Sequence, residues 1–235
     1  MDEDIRNWLP IDPGFKGIRL PNPIGTNRCY LNSAVNAIFS IPRIDEILNE
    51  NHPVHAKLKR IKSGLQQSTQ VLRQTLNTVF HEGHEYYVKN SQHDVYQILR
   101  DVFSSFGNDE KSLKKVEEFI CITCQTRHTK ADQCTSPFLV DVTGSVKEAI
   151  FNYKEIKLVY CQYCGQNQEH NSNLSYEVNS STQYICFKSL REANRAKNKW
   201  TTVDPILDIN DQTYVASCVV THTGRSINAG TQEKY

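Results

Sequence analysis

Two C-x-x-C pairs constrain this chain more than any other feature: Cys121/Cys124 and Cys161/Cys164, with residues 125 to 160 between them. Two thiolates two residues apart close a tight knuckle around one ion, and a second knuckle completes a tetrahedron at about 2.3 Å per Zn–S contact. Each pair follows a strand-like run, Phe119-Ile120-Cys121 in one case and Leu158-Val159-Tyr160-Cys161 in the other. That is the pattern of a zinc ribbon, where metal supplies the cohesion that a thin hairpin cannot draw from a core. The expectation is a structural Zn site built from Cys121, Cys124, Cys161 and Cys164. Four thiolates leave no open position for catalysis. The competing reading is four unliganded thiols or a redox pair. His128 and Cys134 lie between the pairs without knuckle partners and are expected to stand outside the ligand set.

The other cysteines are Cys29, Cys134, Cys186 and Cys218, and they are scattered. Cys186 and Cys218 sit in apolar runs and read as small buried hydrophobes. Met1 to Trp8 is acidic and polar with no signal-peptide core, so paired cysteines here point to metal in a reducing compartment rather than to disulfides. No apolar run approaches the roughly 20 residues that span a bilayer. Lys plus Arg number 27 against 26 Asp plus Glu, which argues against a nucleic-acid partner. With 38% hydrophobic residues in 235, the chain can bury a core. The composition predicts an intracellular protein, of cytoplasm or nucleus, with neither membrane nor nucleic acid as partner.

Organisation follows the hydrophobic period. Pro10, Pro13, Pro21 and Pro23 make residues 1 to 28 a turn-rich lead. From Cys29, the residues Leu31, Ala34, Val35, Ile38 and Phe39 share one helical face, and Pro42 stops it. Residues 53 to 80 read as further helix, and Val95 to Phe103 as another, opening near Ser91. After Gly107 the pattern changes to β-branched and aromatic runs: 116–121, 138–142, 156–160, 174–178, 184–187 and 214–220. Helices first and strands second predict an α+β arrangement. The polar segment 190–199 reads as a loop.

Cys29 opens an amphipathic helix, where unpaired N–H groups and the positive end of the helix dipole favour a thiolate and can stabilise an oxyanion. By spacing alone, a lone cysteine that opens a buried helix is more often structural. Cys29-Tyr30-Leu31-Asn32-Ser33, followed by Ala34 to Phe39, resembles the cysteine box of ubiquitin-specific proteases. Gln92-His93-Asp94-Val95-Tyr96-Gln97-Ile98-Leu99 resembles that family's Gln-Asp segment, the two cysteine pairs its finger ribbon, and Tyr214 to Gly224 the strand entering its histidine box. The resemblance runs in order from about Gly17 to Gly230. It implies a papain-like scaffold of helical thumb (17–107) and β-rich palm and fingers (108–235), with the ribbon at about 116–170 and a lead at 1–16. It also implies Cys29 as nucleophile, ubiquitin and ubiquitinated proteins as partners, and removal of ubiquitin through a thioester.

The departures from the family concern catalysis. The place of the family histidine is Thr231, and the strand that follows it in the family has no counterpart before Tyr235. Threonine is no general base near neutral pH, whereas imidazole is. His222 matches a histidine that precedes the catalytic one and is the substitute base on offer. The oxyanion Asn of the family falls at Ile24, which leaves Asn22 or Asn27 as donor candidates. Tyr96 and Gln97 replace residues common in the Gln-Asp segment. Two functions follow as expectations: a thiol deubiquitinase with impaired turnover, or a ubiquitin-binding pseudoenzyme.

Overall fold

The computed structural model describes residues 17–24, 26–89, 91–106, 112–135, 138–140, 145–151, 154–178, 184–189, 203–226 and 229–234. The chain divides into two compact units, residues 1–107 with 216–235, and residues 108–215. Among the described residues no helix is long and apolar enough to cross a membrane.

The first unit is built on α1 (Cys29–Phe39), α2 (Ile44–Ile47), α3 (Pro53–Lys62), α4 (Gln70–Phe80) and α5 (Val95–Ser104). The predicted stripe of α1 is its buried face: Leu31, Ala34, Val35 and Ile38 are fully enclosed. α1 packs against α5 and against the C-terminal strand segment 229–234. The single helix expected over 53–80 is two. The turn Ser63–Gly64 breaks it, Gly64 sitting at φ 76°, a conformation that costs glycine little. Val54, Leu58 and Ile61 on α3, with Leu72 and Leu76 on α4, then bury at helical spacing. Leu65 lies in that turn and is exposed. The cap of α5 is Asp94, which accepts the Tyr96 N–H, rather than Ser91.

A buried polar network ties α4, the loop after it, and α5. Asp101 on α5 accepts the Tyr87 hydroxyl at 2.6 Å and lies 2.8 Å from His81 Nε2. Asn77 receives the Tyr87 N–H at 2.9 Å. Burial, then the Asp101 carboxylate, push the Tyr87 phenol up from its ordinary pKa. The unit also contains a two-stranded hairpin from the last part of the chain, described below.

The second unit carries β1 (Ser112–Ile120), β2 (Arg127–Thr135), β3 (Phe138–Val140), a short α6 (Val146–Phe151), β4 (Lys154–Cys161), β5 (Gln166–Val178), β6 (Phe187–Ser189), β7 (Ile206–Ile209) and β8 (Gln212–Val215). Four strands form one antiparallel sheet in the order β2-β1-β5-β4. β3 and β6 pair in parallel, and β7 and β8 form a hairpin. Ile150, Leu207 and Ile209 make a small core, with Tyr176, Val178, Ile185 and Tyr214 packed on it. β2 has no apolar alternation in sequence and owes its conformation to pairing with β1. The expected strand 214–220 splits: β8 ends at Val215, and a new strand begins at Val220.

That strand, β9 (Val220–Ser226), pairs antiparallel with β10 (Ala229–Lys234), with an irregularity between Ala229 and Thr231. Both belong to the first unit, and β10 runs beside α1. The loop expected at 190–199 lies outside the described residues.

Candidate functional site

Cys29 is half-buried at the first turn of α1. Arg28 occupies the cap position and offers no side-chain cap to the helix. Asn32 N–H is bonded to Arg28 O at 2.9 Å, so the N–H groups of Cys29, Tyr30 and Leu31 precede the helical ladder and point out of its end. The lead is fastened to the helix by asparagines. Asn36 both accepts the Ile18 N–H at 2.7 Å and donates to Ile18 O at 3.1 Å, while Asn32 donates to Leu20 O at 3.2 Å. Thr69, fully buried at the start of α4, donates to Asn32 Oδ1 at 2.9 Å. Asn32 and Asn36 therefore fix residues 18–20 of the lead against α1.

The turn 22–28 brings one oxyanion candidate next to Cys29. Asn22 Oδ1 accepts the Arg28 N–H at 2.8 Å, which leaves its Nδ2 as the half of the amide that can donate. Asn27 takes a left-handed backbone, φ 45°, in the same turn. Both side chains are exposed. Arg28 reaches the other way, donating to Ser68 Oγ at 2.8 Å.

The cysteine box and the Gln-Asp segment meet through aromatic rings. Tyr30, the residue after Cys29, lies 5.2 Å from His93 between ring centroids. His93 Nε2 accepts the Val88 N–H at 3.1 Å, and burial holds the ring below its ordinary pKa. Burial also raises the Tyr30 phenol to about 12. This Tyr30–His93 contact is not readable from spacing, because it joins segments far apart in the chain. His222 sits on β9 opposite Gln232, and Thr231 opposite Thr223. Thr231 thus lies on β10, the strand beside α1, and the side chains of both strands fall outside the described set.

In the second unit the four predicted cysteines converge. Their sulfurs all lie within 4.8 Å of one another, Cys121 and Cys161 buried, Cys124 and Cys164 half-buried. Cys121 Sγ is 3.7 Å from Cys164 Sγ, and Cys124 Sγ is 3.5 Å from Cys161 Sγ. A tetrahedral ion with Zn–S bonds of 2.3 Å has sulfur–sulfur edges of about 3.8 Å. The donor set therefore fits one tetrahedral metal ion. The two knuckles use the same local geometry. Gln125 N–H bonds to Cys121 O at 2.8 Å and Gly165 N–H to Cys161 O at 2.9 Å, each turning through positive φ one residue after its pair. Thr126 lies against Cys124 and lowers that thiol to about 6, whereas burial raises Cys164 to about 12. His128 stands closer than its sequence position suggested, Nε2 being 3.3 Å from Cys161 Sγ. The Cys134 side chain lies outside the described residues.

Taken together, the helical unit with its cysteine-headed helix and the sheet unit with its four-cysteine knuckle pair make an α+β fold of the ubiquitin-specific-protease type. Two solved structures carry that assignment. One is the SAGA DUB module Ubp8/Sgf11/Sus1/Sgf73 bound to monoubiquitin, similar at a TM-score of 0.63 and 14% identity over 91% of this chain and 59% of that chain. The other is the Ubp8/Sgf11/Sus1/Sgf73 module bound to ubiquitin aldehyde, at 0.61 and 14% identity over 91% and 60%. The chain thus spans about three fifths of the length of those chains. No family model matches the sequence, and no curated protein matches it by sequence.

Proposed function

We propose that this chain binds ubiquitin and acts on its C-terminus, with Cys29 as the nucleophile position. The observation that carries the reading is Cys29 at the open end of α1, in a fold shared with structures solved in complex with monoubiquitin and ubiquitin aldehyde. In the reaction, the Cys29 thiolate attacks the carbonyl carbon after ubiquitin's terminal glycine. The N–H groups at the start of α1, with Asn22 Nδ2 or Asn27 as a side-chain donor, receive the oxyanion. The leaving amine departs with a proton, and water then hydrolyses the thioester. His222 is the candidate to hold and return that proton. Cys121, Cys124, Cys161 and Cys164 hold zinc, which supplies cohesion to the ribbon and takes no part in the chemistry. The proposed partners are ubiquitin and ubiquitinated proteins, in a reducing intracellular compartment where the thiolates persist.

Position 231 supports a second reading, a ubiquitin-binding pseudoenzyme. In sequence, Thr231 falls where the family carries its base, and threonine does not titrate in the working range. A ubiquitin probe with a C-terminal electrophile separates the two. Labelling that disappears in Cys29→Ala and weakens in His222→Ala supports the hydrolase. Affinity for ubiquitin without labelling rejects the hydrolase and leaves the binding module; neither labelling nor affinity rejects both.

A further inference from the structure

We propose that His128 is a positioning residue of the metal centre, its Nε2–H donating a hydrogen bond to the Cys161 sulfur and steadying it as a ligand. The inference rests on the reading of the four cysteines as a metal site, and is independent of whether the chain hydrolyses ubiquitin. The geometry begins with register. On β2, His128 pairs directly with Phe119 of β1, two residues before Cys121. The rings of His128 and Phe119 stack at 4.6 Å between centroids and 7° between planes. Tyr163, from inside the second knuckle, adds a tilted contact at 5.8 Å and 55°. Two aromatic neighbours thus fix the imidazole plane, and its edge meets the knuckle with Nε2 at 3.3 Å from Cys161 Sγ.

That distance suits an N–H···S hydrogen bond. Four sulfurs within 4.8 Å of one another, with the Cys121–Cys164 and Cys124–Cys161 edges at 3.7 and 3.5 Å, already supply a tetrahedral donor set, so His128 is assigned as donor to a ligand rather than as a ligand itself. Four thiolates around a dication carry excess negative charge, and an N–H donor relieves it at the sulfur it touches. Outer-shell partners of this kind orient ligands and alter metal affinity by about 10–100-fold when removed. Cys161 is buried, which withholds solvent as an alternative donor and leaves His128 to fill that role.

The test uses the full chain. His128→Phe keeps the stack on Phe119 and removes the donor; His128→Gln keeps a donor at similar reach. The expected result is a four-thiolate Co(II) spectrum in wild type and both variants. His128→Phe should bind Co(II) and zinc about 10–100-fold more weakly, with affinity recovered substantially in His128→Gln. In wild type loaded with ¹¹³Cd, the His128 ring proton should couple to the metal across the hydrogen bond, a readout that holds even if a variant does not fold. Absence of that coupling, unchanged affinity in folded His128→Phe, or a wild-type Co(II) spectrum with a nitrogen ligand would each overturn the proposal while leaving the metal site standing. Failure of wild type to bind any of the three ions would overturn the metal site and the proposal together.

Discussion

His55 shows how far burial moves a single residue. It is 2% exposed, its Nδ1 accepts the Asn49 N–H at 3.0 Å, and its Nε2 lies 2.7 Å from Ser105 Oγ. A ring that accepts at Nδ1 is neutral. Burial, with His52 and Lys59 nearby, lowers its pKa from 6.5 to about 4. The unfolded chain takes up that proton at higher pH than the folded chain does. Stability from this group is therefore complete above pH 6.5 and is lost as pH falls toward 4. At about 1.4 kcal/mol per unit, the loss is on the order of 3 kcal/mol. His52 is shifted in the same direction by burial and adds to the trend. Urea unfolding followed at pH 7 and at about pH 4.5 should show this loss, and His55→Gln should flatten the difference. An undiminished pH dependence in His55→Gln would place the acid sensitivity elsewhere.

At the level of elements, the helices of the first unit are held by polar ties as much as by apolar stripes. Asp101 accepts from Tyr87 and His81 and is also approached by Arg100 at 3.3 Å. Asp101→Ala leaves the buried Tyr87 phenol and the part-buried His81 imidazole without this partner, and should destabilise the chain by about 2–4 kcal/mol in urea unfolding. Asp94→Ala removes the α5 cap and should cost about 1 kcal/mol. A larger effect of Asp94→Ala than of Asp101→Ala would contradict this ranking. In α1, Asn32→Ala breaks the bonds to Leu20 O and to the Thr69 hydroxyl that fix the lead before Cys29. Faster amide exchange across residues 17–24 is expected in that variant, with α1 itself still protected.

At the scale of the whole molecule, the two units are stabilised differently. The first rests on buried helix faces, and the second on a four-strand sheet whose C-x-x-C turns gather four sulfurs that could hold one metal ion. Chelation should therefore increase hydrogen exchange at 120–128 and 158–166 while leaving α1, α4 and α5 near their starting protection. Equal loss in both units would mean that the ion supports the entire fold. A metal count of one per chain, lost in Cys161→Ser, is the matching measurement.

The sequence alone determined the four-cysteine cluster, because a C-x-x-C pair fixes its own knuckle and two such pairs can share one ion. It likewise determined α1 and its buried face, since Leu31, Ala34, Val35, Ile38 and Phe39 carry the helical period in neighbouring residues. The α+β order was legible for the same local reason. Only the tertiary structure decided what depends on distant partners. β2 is a strand although Arg127 to Thr135 is polar, because β1 completes its hydrogen bonds. His128 meets Cys161, and His93 meets Tyr30, through pairing and packing that spacing does not encode. The break between α3 and α4, where Gly64 takes a φ of 76°, was not legible, because residues 53 to 80 read as further helix throughout. Local chemistry is written in short spacings; contacts between remote segments exist only once the chain has closed around its core.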